Sequence, residues 1–137
     1  MGVFESPEIF EKVLLGFFNQ MAENQEITKK LLASKLTVRF KYTDPDLVIF
    51  ADCTGDKMII TAGNKDSKAE IEMSMSADIA HKFWFGKVNL VMALTRRQIV
   101  AKGPIPKALK LLPAIKPAYE LYPKYLEENG FSKYIIY

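Results

Sequence analysis

Residues 35–62 read KLTVRFKYTDPDLVIFADCTGDKMIITA, and the period of this stretch decides the fold. Leu36, Val38, Phe40 and Tyr42 alternate with Lys35, Thr37, Arg39 and Lys41, the two-residue rhythm of a strand with one buried face. Asp44, Pro45 and Asp46 supply a turn, and residues 47–53 form a second strand. Gly55, Asp56 and Lys57 make a tight reversal before a third strand over 58–62. Two hairpins in series are predicted.

Working outward, Gly63 and Asn64 lead to a fourth strand over 69–75, with Ile71, Met73 and Met75 on one face and Glu70, Glu72 and Ser74 on the other. The short connections predict an antiparallel meander that turns its polar face to water and its apolar face to helices from both ends of the chain. Upstream, Ile9, Phe10, Val13, Leu14, Phe17, Phe18 and Met21 recur at spacings of three and four, which makes residues 6–24 an amphipathic helix. Ser6 caps it, Pro7 occupies its first turn and Glu8 suits its positive end. A shorter helix over 26–33 carries Ile27, Leu31 and Leu32 on one side. Downstream, Ser76 caps a helix over 77–85 that Gly86 closes, a further helix covers 88–94, and a fifth strand over 98–102 ends at Gly103. Prolines at 104, 106, 113, 117 and 123 divide the apolar pattern of 108–126 among short helices, and residues 134–137 are apolar enough to pack back. The predicted class is α+β.

A length of 137 residues fits one core, and no repeat, low-complexity segment or linker divides the chain, so 1–137 is read as one domain. With 49% hydrophobic and 26% charged residues, the composition is that of a globular protein. The single cysteine, Cys53, forms no internal disulfide, and the start shows no secretory pattern. Together with the lack of a terminal Ser-Lys-Leu address, this makes cytoplasmic placement the expectation. The apolar runs at 13–18 and 90–94 fall short of the roughly 20 residues of a bilayer span. Met1, Gly2 and Ser6 match the loose spacing of a myristoylation signal, but the helix start described above is the preferred reading of the same residues.

Charge is uneven: residues 86–137 hold 9 of the 19 Lys and Arg and 3 of the 16 Asp and Glu, a net of +6. Such a half could be drawn to anionic lipid headgroups, although scattered lysines also make an ordinary solvated face. No basic and aromatic strand or recognition helix accompanies it, so no nucleic-acid partner is expected. One histidine, His81, does not make a two-histidine zinc site. No phosphate-binding glycine loop, serine-hydrolase elbow or dinucleotide fingerprint occurs, and no cofactor is implied. Cys53 and His81 could meet as nucleophile and base, yet an alternating strand position is more often a buried apolar thiol, and a lone helical histidine is more often structural. Glu70 with Glu72, and Glu127 with Glu128, read as solubilising pairs.

Residues 78–111 carry a familiar order: Asp78, Gly86-Lys87, Ala93, the strand Ile99-Val100-Ala101-Lys102-Gly103, and Ala108-Leu109-Lys110-Leu111. This resembles the sterol carrier protein type 2 domain family, whose pattern has an acidic residue opening a helix, a glycine and often a lysine closing it, an alanine ten positions before a strand-ending glycine, and an Ala-x-Lys-Leu-like helix. Phe83-Trp84-Phe85, Arg96-Arg97 and the proline-segmented tail depart from that pattern. The resemblance implies a five-stranded, mainly antiparallel sheet with one face covered by helices that enclose an apolar tunnel. It also implies non-covalent binding and transfer of a fatty acid, fatty acyl-CoA, sterol or phospholipid. No enzyme activity is expected, the chain is read as a monomer or dimer, and its basic C-terminal half could place the tunnel opening transiently against an anionic membrane. The alternatives are a ligand-free dimerisation or docking module and a small acyl-handling enzyme using Cys53 or His81.

Strand phase and helix face make Phe40, Ile49, Met73, Met75, Phe83, Val88, Met92, Leu112 and Ile115 the candidate lining, each equally compatible with plain core. Lys87, Arg96 and Arg97 are the candidates for holding a carboxylate or phosphate headgroup at the mouth, with exposed solubilising charge as the plainer alternative.

Overall fold

The computed structural model describes residues 3–63 and 68–136. Met1, Gly2, Asn64 and Tyr137 lie outside them, so the first two residues of the myristoylation pattern and the last packing residue do too. Helix α1 (Pro7–Glu23) starts where Ser6 accepts a hydrogen bond from the Ile9 amide, and its apolar stripe, from Phe10 to Met21, is buried. Asn24 ends α1 and caps α2 (Gln25–Ser34), whose last turn yields to strands through Lys35 in the left-handed conformation.

Strands β1 (Thr37–Thr43), β2 (Leu47–Asp52) and β3 (Ile59–Ala62) form the antiparallel hairpins read from the alternation. The expected four-strand meander is corrected at β4 (Ile71–Ser76), which pairs in parallel with β1 rather than following β3. The sheet is mixed, in the order β3-β2-β1-β4-β5, with β5 (Ile99–Lys102) antiparallel to β4. A short connection implies an antiparallel neighbour only when the chain turns back beside itself. Here β4 sits three strand positions from β3, roughly 14 Å across the sheet, so closeness in sequence does not make the two neighbours.

The inner face aligns Val38, Phe40 and Tyr42 with Ala51, Ile49 and Leu47 on one side and with Ile71, Met73 and Met75 on the other. The outer face is less wet than the alternation predicts. Val48 and Phe50 are buried there, and Glu72 is ion-paired with Arg39 at 2.9 Å rather than simply solvated. Glu70 accepts from Lys107 Nζ at 3.2 Å. Gly103, at φ +106, ends β5 where a Cβ would run into the Glu70 carbonyl oxygen, so this close approach of β5 to the start of β4 requires glycine.

Helices α3 (Ala77–Trp84), α4 (Leu90–Thr95), α5 (Ile105–Leu109), α6 (Leu112–Ile115) and α7 (Ala118–Glu128) complete the inner layer. Ser76 and Asn89 cap α3 and α4 through their side chains. Prolines break the chain between α5, α6 and α7 as predicted, but α7 runs through Pro123. The lost backbone hydrogen bond is offset there by burial of Ala118, Tyr122, Tyr125 and Leu126, and α7 packs on α1.

Candidate functional site

Between the inner sheet face and the helices lies an apolar cavity of about 110 Å³. Its floor is Val38, Phe40, Tyr42, Ala51, Ile60, Ile71, Met73 and Met75 from the sheet. Phe18 and Met21 of α1, Leu31 of α2, Ala80, Phe83 and Trp84 of α3 and Leu90 of α4 form the walls. Ala108, Leu111, Leu112 and Ile115 bring the proline-punctuated segment of α5 and α6 over it.

Among the described residues no charged side chain lines the cavity, and the polar ones are few. The Ser34 hydroxyl donates to the Leu31 carbonyl and accepts from the Leu36 amide, so both its hydrogen-bonding directions are used. The cavity thus favours hydrocarbon and offers no charge for a carboxylate or phosphate.

Six of the nine residues singled out from the sequence line this cavity: Phe40, Met73, Met75, Phe83, Leu112 and Ile115. Ile49, Val88 and Met92 do not. Ile49 shares the sheet face of Phe40 but is sealed at 0% exposure, under the part of the sheet on which α1 packs. Val88 precedes α4 and is packed against the core. The expected helix over 88–94 begins only at Leu90, because Asn89 caps it by accepting from the Met92 amide. That phase buries Leu90 and Ala93 and turns Met92 outward, 47% exposed. Lys87, Arg96 and Arg97 are all exposed, and none lines the cavity. The residues missed from the sequence are mainly Phe18, Met21 and Trp84. Phe18 and Met21 stand three apart on the apolar stripe of α1, a spacing that identifies a buried face without separating cavity wall from solid core.

Cys53 also lines the cavity, and burial, with a smaller contribution from the Asp52 charge, pushes its thiol up to about 11. It is therefore a protonated, weakly nucleophilic thiol near neutral pH. His81 is fully buried, and both ring nitrogens are engaged. Nε2 lies 2.7 Å from the Tyr134 carbonyl oxygen, which only accepts, so Nε2 carries the proton and Nδ1 accepts from the Tyr122 hydroxyl at 2.8 Å. This fixed neutral tautomer ties α3 to α7 and to the C-terminal turn, and it leaves neither nitrogen open to act as a base for Cys53.

Burial lowers the His81 pKa from its ordinary value, outweighing the Tyr134 hydrogen bond and the Asp78 charge, which raise it. A histidine with a folded pKa below its unfolded value, about 6.5, binds more protons when unfolded. Stability therefore falls as pH drops through that value and levels off once the folded pKa is passed. Urea midpoints are expected to decline between about pH 7 and pH 5, with a shallower decline in His81→Gln. Equal slopes in the two proteins would show that His81 does not control this window.

The comparisons with known proteins agree with this architecture. A model of the SCP-2 sterol transfer family matches residues 18–116, a span that takes in both the cavity and the segment 78–111. The chain belongs to the SCP-2 sterol transfer family. This membership supports lipid binding and transfer in general. Sterol Carrier Protein 2 from Yarrowia lipolytica, in its apo form, superposes with a TM-score of 0.59 at 20% identity, covering 81% of this chain and 89% of that one. The sterol carrier protein domain 2 of Helicoverpa armigera gives 0.65 at 21% identity, with 87% and 96% coverage. The sec-alkylsulfatase Pisa1 from Pseudomonas sp. matches 64% of this chain with 14% of its own length, at 15% identity and a TM-score of 0.56. At these identities the structural likenesses establish the fold, and the family model establishes membership. No curated protein matches the sequence.

Among the described residues no helix is long and apolar enough to cross a membrane.

Proposed function

We propose that residues 1–137 act as a single lipid-carrying domain that takes the hydrocarbon tail of a fatty acid, fatty acyl-CoA, sterol or phospholipid into this cavity, leaving the polar head outside, and passes the lipid on without covalent chemistry. The observation that carries the reading is a cavity lined, among the described residues, without a single charged group and bounded by a short segment that prolines keep from forming one long helix. Each methylene moved from water into such walls contributes about 0.8 kcal/mol, so tail length governs affinity. The cavity is smaller than the ~300 Å³ of ordinary small-molecule sites. A full acyl chain therefore requires the walls to change rotamer, for which Met21, Met58, Met73 and Met75 are suited. The working place is the cytoplasm, in transient contact with anionic membrane, as a monomer or dimer. Cys53 and His81 take no part in turnover.

Trp84 is the only tryptophan and sits in the cavity wall, so its fluorescence reports filling. Titration with saturated fatty acids of increasing length is expected to show affinity rising about fourfold per methylene until the cavity is full. Native mass spectrometry of gently purified protein is expected to show one lipid per chain. Empty protein with no length-dependent uptake would sink the carrier reading and favour the docking module.

A further inference from the structure

The burial pattern of α4 leaves Val91 57% and Met92 47% exposed, while Leu90 beside them lines the cavity and Ala93 is buried. α1 and α3 bury their apolar stripes, whereas α4 leaves two large apolar side chains in sequence at the surface, next to a residue of the cavity wall. Lys87 precedes them, and Arg96 and Arg97 follow, all exposed. α4 ends at Thr95 with Arg96 as its C-cap, and Arg97 follows in the left-handed conformation at φ +59. The surrounding sequence is uniform in sign: residues 79–119 contain eight Lys or Arg and no Asp or Glu.

We propose that the α4 tip is the membrane-docking surface of this protein, with Val91 and Met92 entering the acyl region of an anionic bilayer and Lys87, Arg96 and Arg97 resting on its headgroups. The occupant is argued from charge complementarity and from position. Small apolar tips bind membranes weakly by themselves, and a basic collar supplies the second attraction, which is strong only toward anionic lipid and is screened by salt. A protein partner would fit the apolar pair but gives no reason for a long segment without a single acid. Because Leu90 belongs to both α4 and the cavity wall, docking here sets the cavity beside the bilayer, where a tail can leave the membrane without crossing water. This inference rests on the carrier reading for its purpose, although the docking is measurable without it.

The test is flotation with phosphatidylcholine vesicles, with and without phosphatidylserine, comparing the wild type, V91D/M92D, R96E/R97E and K29E/K30E. The last is a charge-matched control on exposed residues of α2. Wild type and control are expected to bind phosphatidylserine vesicles and to release them at high salt. V91D/M92D is expected to lose roughly tenfold or more of that binding, while Trp84 still reports uptake of fatty acid from solution. R96E/R97E is expected to lose the preference for phosphatidylserine by a similar factor. Unchanged vesicle binding in V91D/M92D, or equal loss in K29E/K30E, overturns the proposal. So does a wild type that self-associates in sedimentation through Val91 and Met92 and ignores vesicles, which would make a second copy the occupant. Vesicle binding that needs the α4 tip in a protein taking up no lipid would leave the docking surface standing and remove the carrier reading instead.

Discussion

Replacing Phe17 by alanine is expected to remove about 3–5 kcal/mol of stability, a large share of the 5–15 kcal/mol typical of a domain. Phe17 is fully buried, with ring centroids 5.4 Å from Trp84, 4.7 Å from Tyr122 and 5.5 Å from Tyr125. It is therefore where α1, α3 and α7 meet, and its loss leaves a void that three rigid rings cannot readily fill. The neighbouring Phe18 lines the cavity, where space already exists. Phe18→Ala is expected to cost less, because less close packing is lost, and to enlarge the room for a ligand. Urea unfolding followed by Trp84 fluorescence measures both. A Phe17→Ala loss below about 1 kcal/mol, at an unchanged denaturant slope, would mean that the three helices do not depend on this ring.

That contrast between Phe17 and Phe18 marks the limit of what the sequence discloses. Period three-to-four from Ile9 to Met21 identifies one buried stripe, and period two in β1 identifies one buried face, since both follow from local geometry. Which part of the stripe meets solid core and which meets empty space depends on what lies across the layer. This is why Ile49 and Phe40, cross-strand partners on one face, part ways: one lies under α1 and the other opens on the cavity. Strand pairing shows the same dependence. The alternation in residues 69–75 gives the faces of β4 correctly, but its parallel seat beside β1 is set by the whole sheet and has no local signature. Met92 differs for a smaller reason: α4 buries the face of Leu90 and Ala93, and Leu90 stands roughly 200° around the helix from Met92. The resemblance carried by Asp78, Gly86, Ala93 and Gly103 survives all of these differences. Three of the four hold cap, turn or close-packing positions: Asp78 accepts from the Val3 amide in the first turn of α3, and Gly86 and Gly103 stand at positive φ.

Filling the cavity is expected to have the largest effect on function. Ala108 of α5 packs against Leu36, Val38 and Ile71 at one end of the cavity. An indole there competes for the space a lipid tail would take, so Ala108→Trp is expected to weaken fatty-acid uptake by about a hundredfold or more, the loss of several buried methylenes at ~0.8 kcal/mol each. Its effect on folding is expected to be small, because a new ring in existing space gains contacts that partly offset any overpacking, which costs about 1–3 kcal/mol in a filled core. The two readouts therefore move apart, in contrast to Phe17→Ala, which is expected to disturb stability first. Titration should follow a bound fluorescent fatty acid, since the second tryptophan would confuse the Trp84 signal, with thermal unfolding measured on the same samples. Full uptake by a stably folded Ala108→Trp would place the lipid somewhere other than this cavity. Lost uptake at retained stability would tie binding to the space under α5 and α6, the part of the wall built from two short helices without side-chain caps.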